Sequence, residues 1–188
     1  MAATSEVKGV YFVSARDALV ERAEPGALAR VTAALPEATR RVFEEPLTSG
    51  WYPEVALHDL VTAIWSEICD RDRERFLEFL EFALTLGMKR FFRALLGVTS
   101  PGFFLRRYPT VFSAIRRGPP HVTVEVERTS ATIHVHDMPY SDDPLYHLVY
   151  EAGFNVFFLL MKRTRPRMRL MGASATALTI LLDWDERR

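Results

Sequence analysis

Apolar positions recur at helical spacing through the first half of the chain and alternate with polar ones in the second. Residues 15–23 and 26–35 read as short amphipathic helices separated by Glu24-Pro25, and Pro36 ends the second. Gly50 and Pro53 bracket Trp51-Tyr52, with Pro53 suited to the first turn of the next helix. That helix places Val55, Leu60, Val61, Ile64, Trp65 and Ile68 on one apolar face. A helix over 70–86 follows, with Phe76, Leu80, Ala83 and Leu84 on one side and Glu74, Glu78 and Glu81 on another. Gly87 is its predicted C-terminal cap. Phe91, Phe92, Leu95 and Leu96 continue the pattern to Gly97, and Ser100-Pro101 opens a helix to about Arg116.

Gly118-Pro119-Pro120 then punctuates the chain, and the period changes. Val122, Val124 and Val126 alternate with Thr123, Glu125 and Glu127; Ala131, Ile133 and Val135 alternate with Thr132, His134 and His136. Two alternating runs around 128–130 predict an antiparallel hairpin with one buried face. A helix is predicted from Asp143 to Lys162, with acids at its positive end and Lys162 and Arg163 at its negative end. It is apolar over most of its circumference. Leu145, Leu148, Val149, Ala152, Val156, Leu159 and Leu160 form one face, and Tyr146, Tyr150, Phe154, Phe157 and Met161 a second. His147, Glu151 and Asn155, spaced four apart, read as a solvated stripe along its edge. Strands at 167–171 and 176–184 close the chain, with Leu178, Ile180, Leu182 and Trp184 on one face. The fold class expected is α+β: a helical layer on an antiparallel sheet that carries one long helix, with room for an apolar pocket between helices and sheet. The 188 residues suit one domain, with a helical subregion over 1–117 and a hairpin, helix and strands over 118–188.

Composition narrows the function. The apolar share of 48% argues against disorder, and 24 basic residues balanced by 24 acidic ones argue against nucleic-acid binding. The single cysteine, Cys69, excludes an internal disulfide and a multi-cysteine metal site. With no leader or spanning segment read from the sequence, the expected location is the cytoplasm.

No glycine-rich phosphate loop, His-Glu-x-x-His or Gly-x-Ser-x-Gly motif occurs, so no enzyme is expected. His134-x-His136-Asp137 lacks a third ligand at an obvious spacing and reads as solvated strand histidines, not a metal site. Asp143 and His147 suit a charge pair or a capping contact at a helix start. His58-Asp59 reads as surface. Cys69 lies beside Glu67, Asp70 and Asp72, whose charges disfavour a reactive thiolate. Lys162, Arg163, Arg165, Arg167 and Arg169 form a basic run suited to an anion or a protein partner, which Arg106-Arg107 and Arg116-Arg117 would extend if they fold nearby. Phe76, Phe79, Phe82, Phe91, Phe92, Phe103 and Phe104 are expected in the core.

Lys8-Gly9-Val10, then Phe79–Gly97 followed by Pro101-x-x-Phe104-Leu105, then the hairpin, Tyr140-Ser141-Asp142-Asp143-Pro144-Leu145, a long helix and a final strand ending in Trp184 carry a resemblance. This order resembles the heme nitric oxide/oxygen-binding (H-NOX) domain over nearly the whole chain. The second half is also similar to the small-molecule-binding domains named after vinyl reductase, and to an uncharacterised paralogous family of myxobacteria, which implies a bacterial protein. The resemblance implies the scaffold without its heme. Phe112, in Pro109-Thr110-Val111-Phe112, stands where the family has its iron-ligating histidine. Pro139-x-Ser141-x-Asp143 stands for the family's Tyr-x-Ser-x-Arg, so an acid replaces the arginine that meets the propionates. No metal cofactor is therefore expected.

These observations predict a non-catalytic sensory or regulatory domain that takes an apolar or amphipathic small molecule, a lipid among the candidates. The expected lining is Phe79, Phe82, Phe112, Tyr146, Leu148, Tyr150 and Phe154. A regulatory protein partner is expected to read the bound state, and a homodimer is one possible assembly. The alternative is a protein-interaction adaptor with a filled core, docking through the basic run and the acidic helix over 70–81. A weaker third reading keeps heme through His134 or His147.

Overall fold

Backbone pairing begins near the N-terminus. Glu6–Lys8 (β1) runs antiparallel to Trp51–Pro53 (β2), with Val7 opposite Tyr52. The computed structural model describes residues 4–91 and 100–185, and its contacts group the chain into two units, 6–91 and 1–5 with 92–188.

In the first unit, β1 leads into Val10–Arg22 (α1), then Ala27–Ala34 (α2) and Glu37–Glu44 (α3). After β2 come Glu54–Glu67 (α4) and Arg73–Phe91 (α5). Gly9 is required at the β1–α1 corner. It donates its N–H to the Gly50 carbonyl at 2.9 Å, and a Cβ there would lie 2.0 Å from the Leu47 carbonyl oxygen. Phe12, Val31, Phe43, Leu60, Ile64 and Phe76 are buried and make the core of this unit.

Three expectations change here. Helix α1 starts at Val10, five residues ahead of the predicted start, because the tight corner at Gly9 launches it. Helix α5 runs straight through Gly87 instead of stopping there: α1 packs on it, and a Cβ at Gly87 would sit 3.2 Å from Ser14 Oγ. Gly87 therefore serves close approach of two helices, not a cap. Val55, predicted on the apolar face of α4, is 47% exposed. The extension through Phe92, Leu95 and Leu96 lies outside the described residues.

In the second unit, Pro101–Ile115 (α6) is capped by Ser100, whose Oγ accepts from Phe103 N–H. A two-residue strand, Arg116–Arg117 (β3), leads to the hairpin His121–Val126 (β4) and Ser130–His136 (β5). Then come Pro144–Leu160 (α7), Arg167–Ser174 (β6) and Ala177–Asp183 (β7). Strand order is β4-β5-β7-β6, all neighbours antiparallel. Register places Val122 opposite Val135, and Ile133 opposite Ile180. Ala131, Ile133, Val135, Leu178, Ile180 and Leu182 are buried on one face, as period-2 alternation requires. Helix α6 lies against β4 and β5. The Gly118-Pro119-Pro120 punctuation falls within this unit. Strand β6 carries a bulge between Leu170 and Gly172, leaving Met171 60% exposed.

Candidate functional site

Two helices bring aromatic side chains together in the second unit. Tyr108 of α6 lies 5.2 Å from the ring of Phe154 on α7 and 6.2 Å from Phe112. Phe104 meets Phe157 at 4.1 Å. Tyr146 meets Tyr140 at 5.6 Å, and Phe158 meets Trp184, just past the end of β7, at 5.9 Å. Such ring pairs add favourable geometry to the area they bury. Phe112, Tyr146, Tyr150 and Phe154 are all buried, and Leu148 is half-buried. Five of the seven predicted lining residues thus lie on α6 and α7 of one unit.

Phe112 is fully buried. The Arg116 guanidinium sits 5.3 Å above its ring, and Arg116 is itself 4% exposed. Arg116 is therefore withdrawn from any surface basic patch, so the conditional extension of the basic run through it is not met. Arg107 stays exposed and lies over Phe103, which is 49% exposed and outside the core where it was expected.

Asp143 is the N-cap of α7, its Oδ1 accepting from Leu145 N–H at 2.7 Å, with Pro144 at the first helical position. His147 turns its Nε2 to the Ser141 carbonyl at 2.9 Å, and Ser141, fully buried, donates to the Met138 carbonyl at 2.7 Å. Asp143 as cap and His147 through the Ser141 carbonyl thus both brace the entrance to α7, the capping role being one of the two expected for Asp143. Asn155, predicted on a solvated stripe, is buried, and His147 and Glu151 are half-buried. The helix is sequestered more completely than its polar spacing suggested.

The strand histidines lie on the face opposite the core. His121 stacks on His136 across the β4–β5 pair at 4.8 Å, and His134 follows at 6.2 Å. His134 bonds Thr179 Oγ1 at 3.2 Å, and Asp137 lies 3.7 Å from His121. Sequence reading missed His121 as a neighbour of this pair, because only strand register reveals it. Among the described residues, no group of three or more His, Cys, Asp or Glu is arranged to hold a metal ion. His58 and Asp59 are half-buried, and Asp59 accepts from Thr39 Oγ at 2.6 Å.

Phe79 and Phe82, the other two predicted lining residues, lie half-buried on α5 in the first unit. They line a cleft of about 450 Å³ with Arg22, Ala23, Glu24, Ile68, Cys69, Asp70, Arg75 and Glu78. Cys69 is buried, and burial is the main cause pushing its thiol up to about 12. Asp70 and, less strongly, Asp72 add to the rise, while Arg75 pulls against it.

The basic run follows α7. Lys162 adopts a left-handed φ of 58° at the helix end and is exposed. Arg167 is exposed on β6, and Arg169 pairs with Asp183 of β7 at 2.9 Å. Among the described residues, no helix is long and apolar enough to cross a membrane.

No protein-family model matches this chain, and no curated protein matches it. Solved structures do. An Fe(II) unliganded H-NOX protein from K. algicida aligns with TM-score 0.68 at 13% identity, covering 96% of this chain and 97% of that one. A triply substituted H-NOX protein from S. oneidensis in the Fe(II) ligation state aligns with TM-score 0.71 at 12% identity and the same coverage. An oxygen-binding H-NOX domain related to soluble guanylate cyclases aligns with TM-score 0.63 at 10% identity, covering 95% of this chain and 93% of that one. The chain has an H-NOX-like α+β fold.

Proposed function

We propose that this protein is a non-catalytic sensory or regulatory domain that takes an apolar or amphipathic small molecule without heme. The observation that carries the reading is Phe112, fully buried among aromatic neighbours on α6 of an H-NOX-like fold. The family resemblance assigns an iron-ligating histidine to this position. A phenyl ring has no lone pair to give to iron, so the ligand set for heme is missing where the family keeps it. Asp143, matched to the propionate-binding arginine, carries the wrong charge for that role, and its carboxylate is committed to the Leu145 N–H. The residues present do not fit heme. His134, bonded to Thr179 on the outer sheet face, and His147, bonded to the Ser141 carbonyl, are the substitute ligands of the heme-retaining reading.

In the ligand-binding reading, Phe112, Tyr146, Leu148, Tyr150 and Phe154 face the guest. Because these side chains are largely buried, a guest enters by moving rings aside and favouring one packing of α6 against α7. Signalling then works by population shift. The alternative, an adaptor with a filled core, is favoured by that same burial and by the exposed cations Lys162, Arg165 and Arg167 of the basic run.

Two measurements separate the readings. Hemin added to purified protein is expected to give no stoichiometric Soret band, and Phe112→His is expected to create one. A stoichiometric band in the wild type would overturn the heme-free reading. Native mass spectrometry of freshly purified protein is expected to show a retained small molecule that Phe112→Asp abolishes. A folded wild type with nothing retained favours the adaptor.

A further inference from the structure

The cleft on the first unit sits where two helices end and a third begins its second turn. Helix α1 ends at Arg22 and α4 at Glu67, and Ala23 and Ile68, just beyond those ends, both line the cleft. Phe79 and Phe82 of α5 give it an apolar wall. Its volume of about 450 Å³ lies within the range of small-molecule sites.

Its five charged side chains do not stand alike. Glu24 is engaged by Arg30, and Asp70 by Arg75. Asp70 and the next residue, Arg71, hold left-handed φ values of 52° and 59°, which fix the turn carrying Asp70. Two charges are left over. Arg22 makes no ion pair among the described residues, and its guanidinium lies 4.3 Å above the Phe82 ring. Glu78, exposed on α5, makes none either.

A guanidinium backed by an aromatic face keeps its N–H edge free to meet a carboxylate. A carboxylate without a partner, beside two helix C-termini with their partial negative charge, suits an ammonium group. The cleft therefore offers one cationic contact, one anionic contact and an aromatic wall. We propose that it binds a zwitterionic amphipath of the free amino-acid class with a large apolar side chain. The carboxylate meets Arg22, the ammonium meets Glu78, and the side chain lies on Phe79 and Phe82. This site uses none of the residues of the aromatic layer of α6 and α7, and its failure leaves the reading of that layer untouched.

The test titrates the 188-residue chain with L-phenylalanine by calorimetry and by amide chemical shifts. 3-Phenylpropionate, which lacks the ammonium, and phenethylamine, which lacks the carboxylate, are titrated in parallel. Saturable binding of L-phenylalanine is expected, about tenfold or more tighter than either analogue, the usual scale for one charge-assisted hydrogen bond. Glu78→Gln is expected to bring L-phenylalanine down to the level of 3-phenylpropionate. Arg22→Gln is expected to bring it down to phenethylamine, with unchanged melting temperature in both variants. No saturable L-phenylalanine binding, binding indifferent to both substitutions, or analogues that bind as well as the amino acid would each overturn the proposal.

Discussion

Asp143 commits its carboxylate to the helix it precedes, and this role can be weighed against any ligand-facing one. An N-cap carboxylate replaced by alanine costs about 1 kcal/mol, within a range of roughly 0.5–2. Asp143→Ala is expected to lose that much in denaturant unfolding, and Asp143→Asn is expected to recover most of it. Stability unchanged in the alanine variant would show that the Leu145 hydrogen bond is not holding the helix start.

Cys69 is a second residue whose chemistry follows from its surroundings. A thiol pushed from its ordinary 9.0 to about 12 stays protonated at neutral pH. A disulfide reagent is expected to leave the folded protein unmodified at pH 8 and to label it on unfolding. The same shift has a consequence for stability. Above about pH 9 the unfolded chain releases the thiol proton while the folded chain keeps it, so stability falls as pH rises between the two values. Unfolding curves from pH 8 to 11 for wild type and Cys69→Ala are expected to diverge. Parallel pH dependence would remove Cys69 from the account.

At the scale of elements, the α1–α5 contact is held close by the absence of a side chain at Gly87. Alanine there gains roughly 1 kcal/mol of helix propensity, offset by a Cβ at 3.2 Å from Ser14 Oγ. Gly87→Ala is expected to be near neutral, because Ser14 can give by a few tenths of an ångström. Gly87→Leu forces α1 away, and overpacking of this kind costs about 1–3 kcal/mol. A Gly87→Leu variant as stable as wild type would contradict the tight crossing.

The same contact shows what a sequence reveals and what it hides. Period-2 alternation announced β4, β5 and β7, because one face of that sheet is buried and the polar face records the difference. Helices α4, α6 and α7 were equally legible from apolar spacing and from Ser100-Pro101 and Asp143-Pro144 at their starts. Gly87 misled because a glycine that ends a helix and one that admits a neighbouring helix look identical in one dimension. Strands β1 and β2 went unread because three residues are too few to show a period. Helix α3 went unread because it buries only Thr39 and Phe43. At the candidate sites, the aromatic residues of α6 and α7 were visible as an excess of rings. The cleft around Phe79 was not, since it joins residues near 22, 68 and 78 that only the fold collects.

The molecule as a whole carries no formal net charge at neutral pH, so long-range repulsion does little to keep copies apart. Only local features of the surface can oppose self-association. Strand β6 ends the order β4-β5-β7-β6, and among the described residues no further strand pairs with it. Met171 is the extra residue in that strand, and beyond it Gly172 faces Thr179 in the same inside–outside alternation that precedes it. Its removal would leave the pairing intact and straighten the strand. A straight rim that still carries Leu170 offers itself to the rim of an identical molecule, as fibrous aggregates require. Deletion of Met171 is expected to leave the melting temperature within a few degrees while producing thioflavin-positive assemblies on storage. One awkward residue would then decide whether this rim of the sheet accepts a copy of itself.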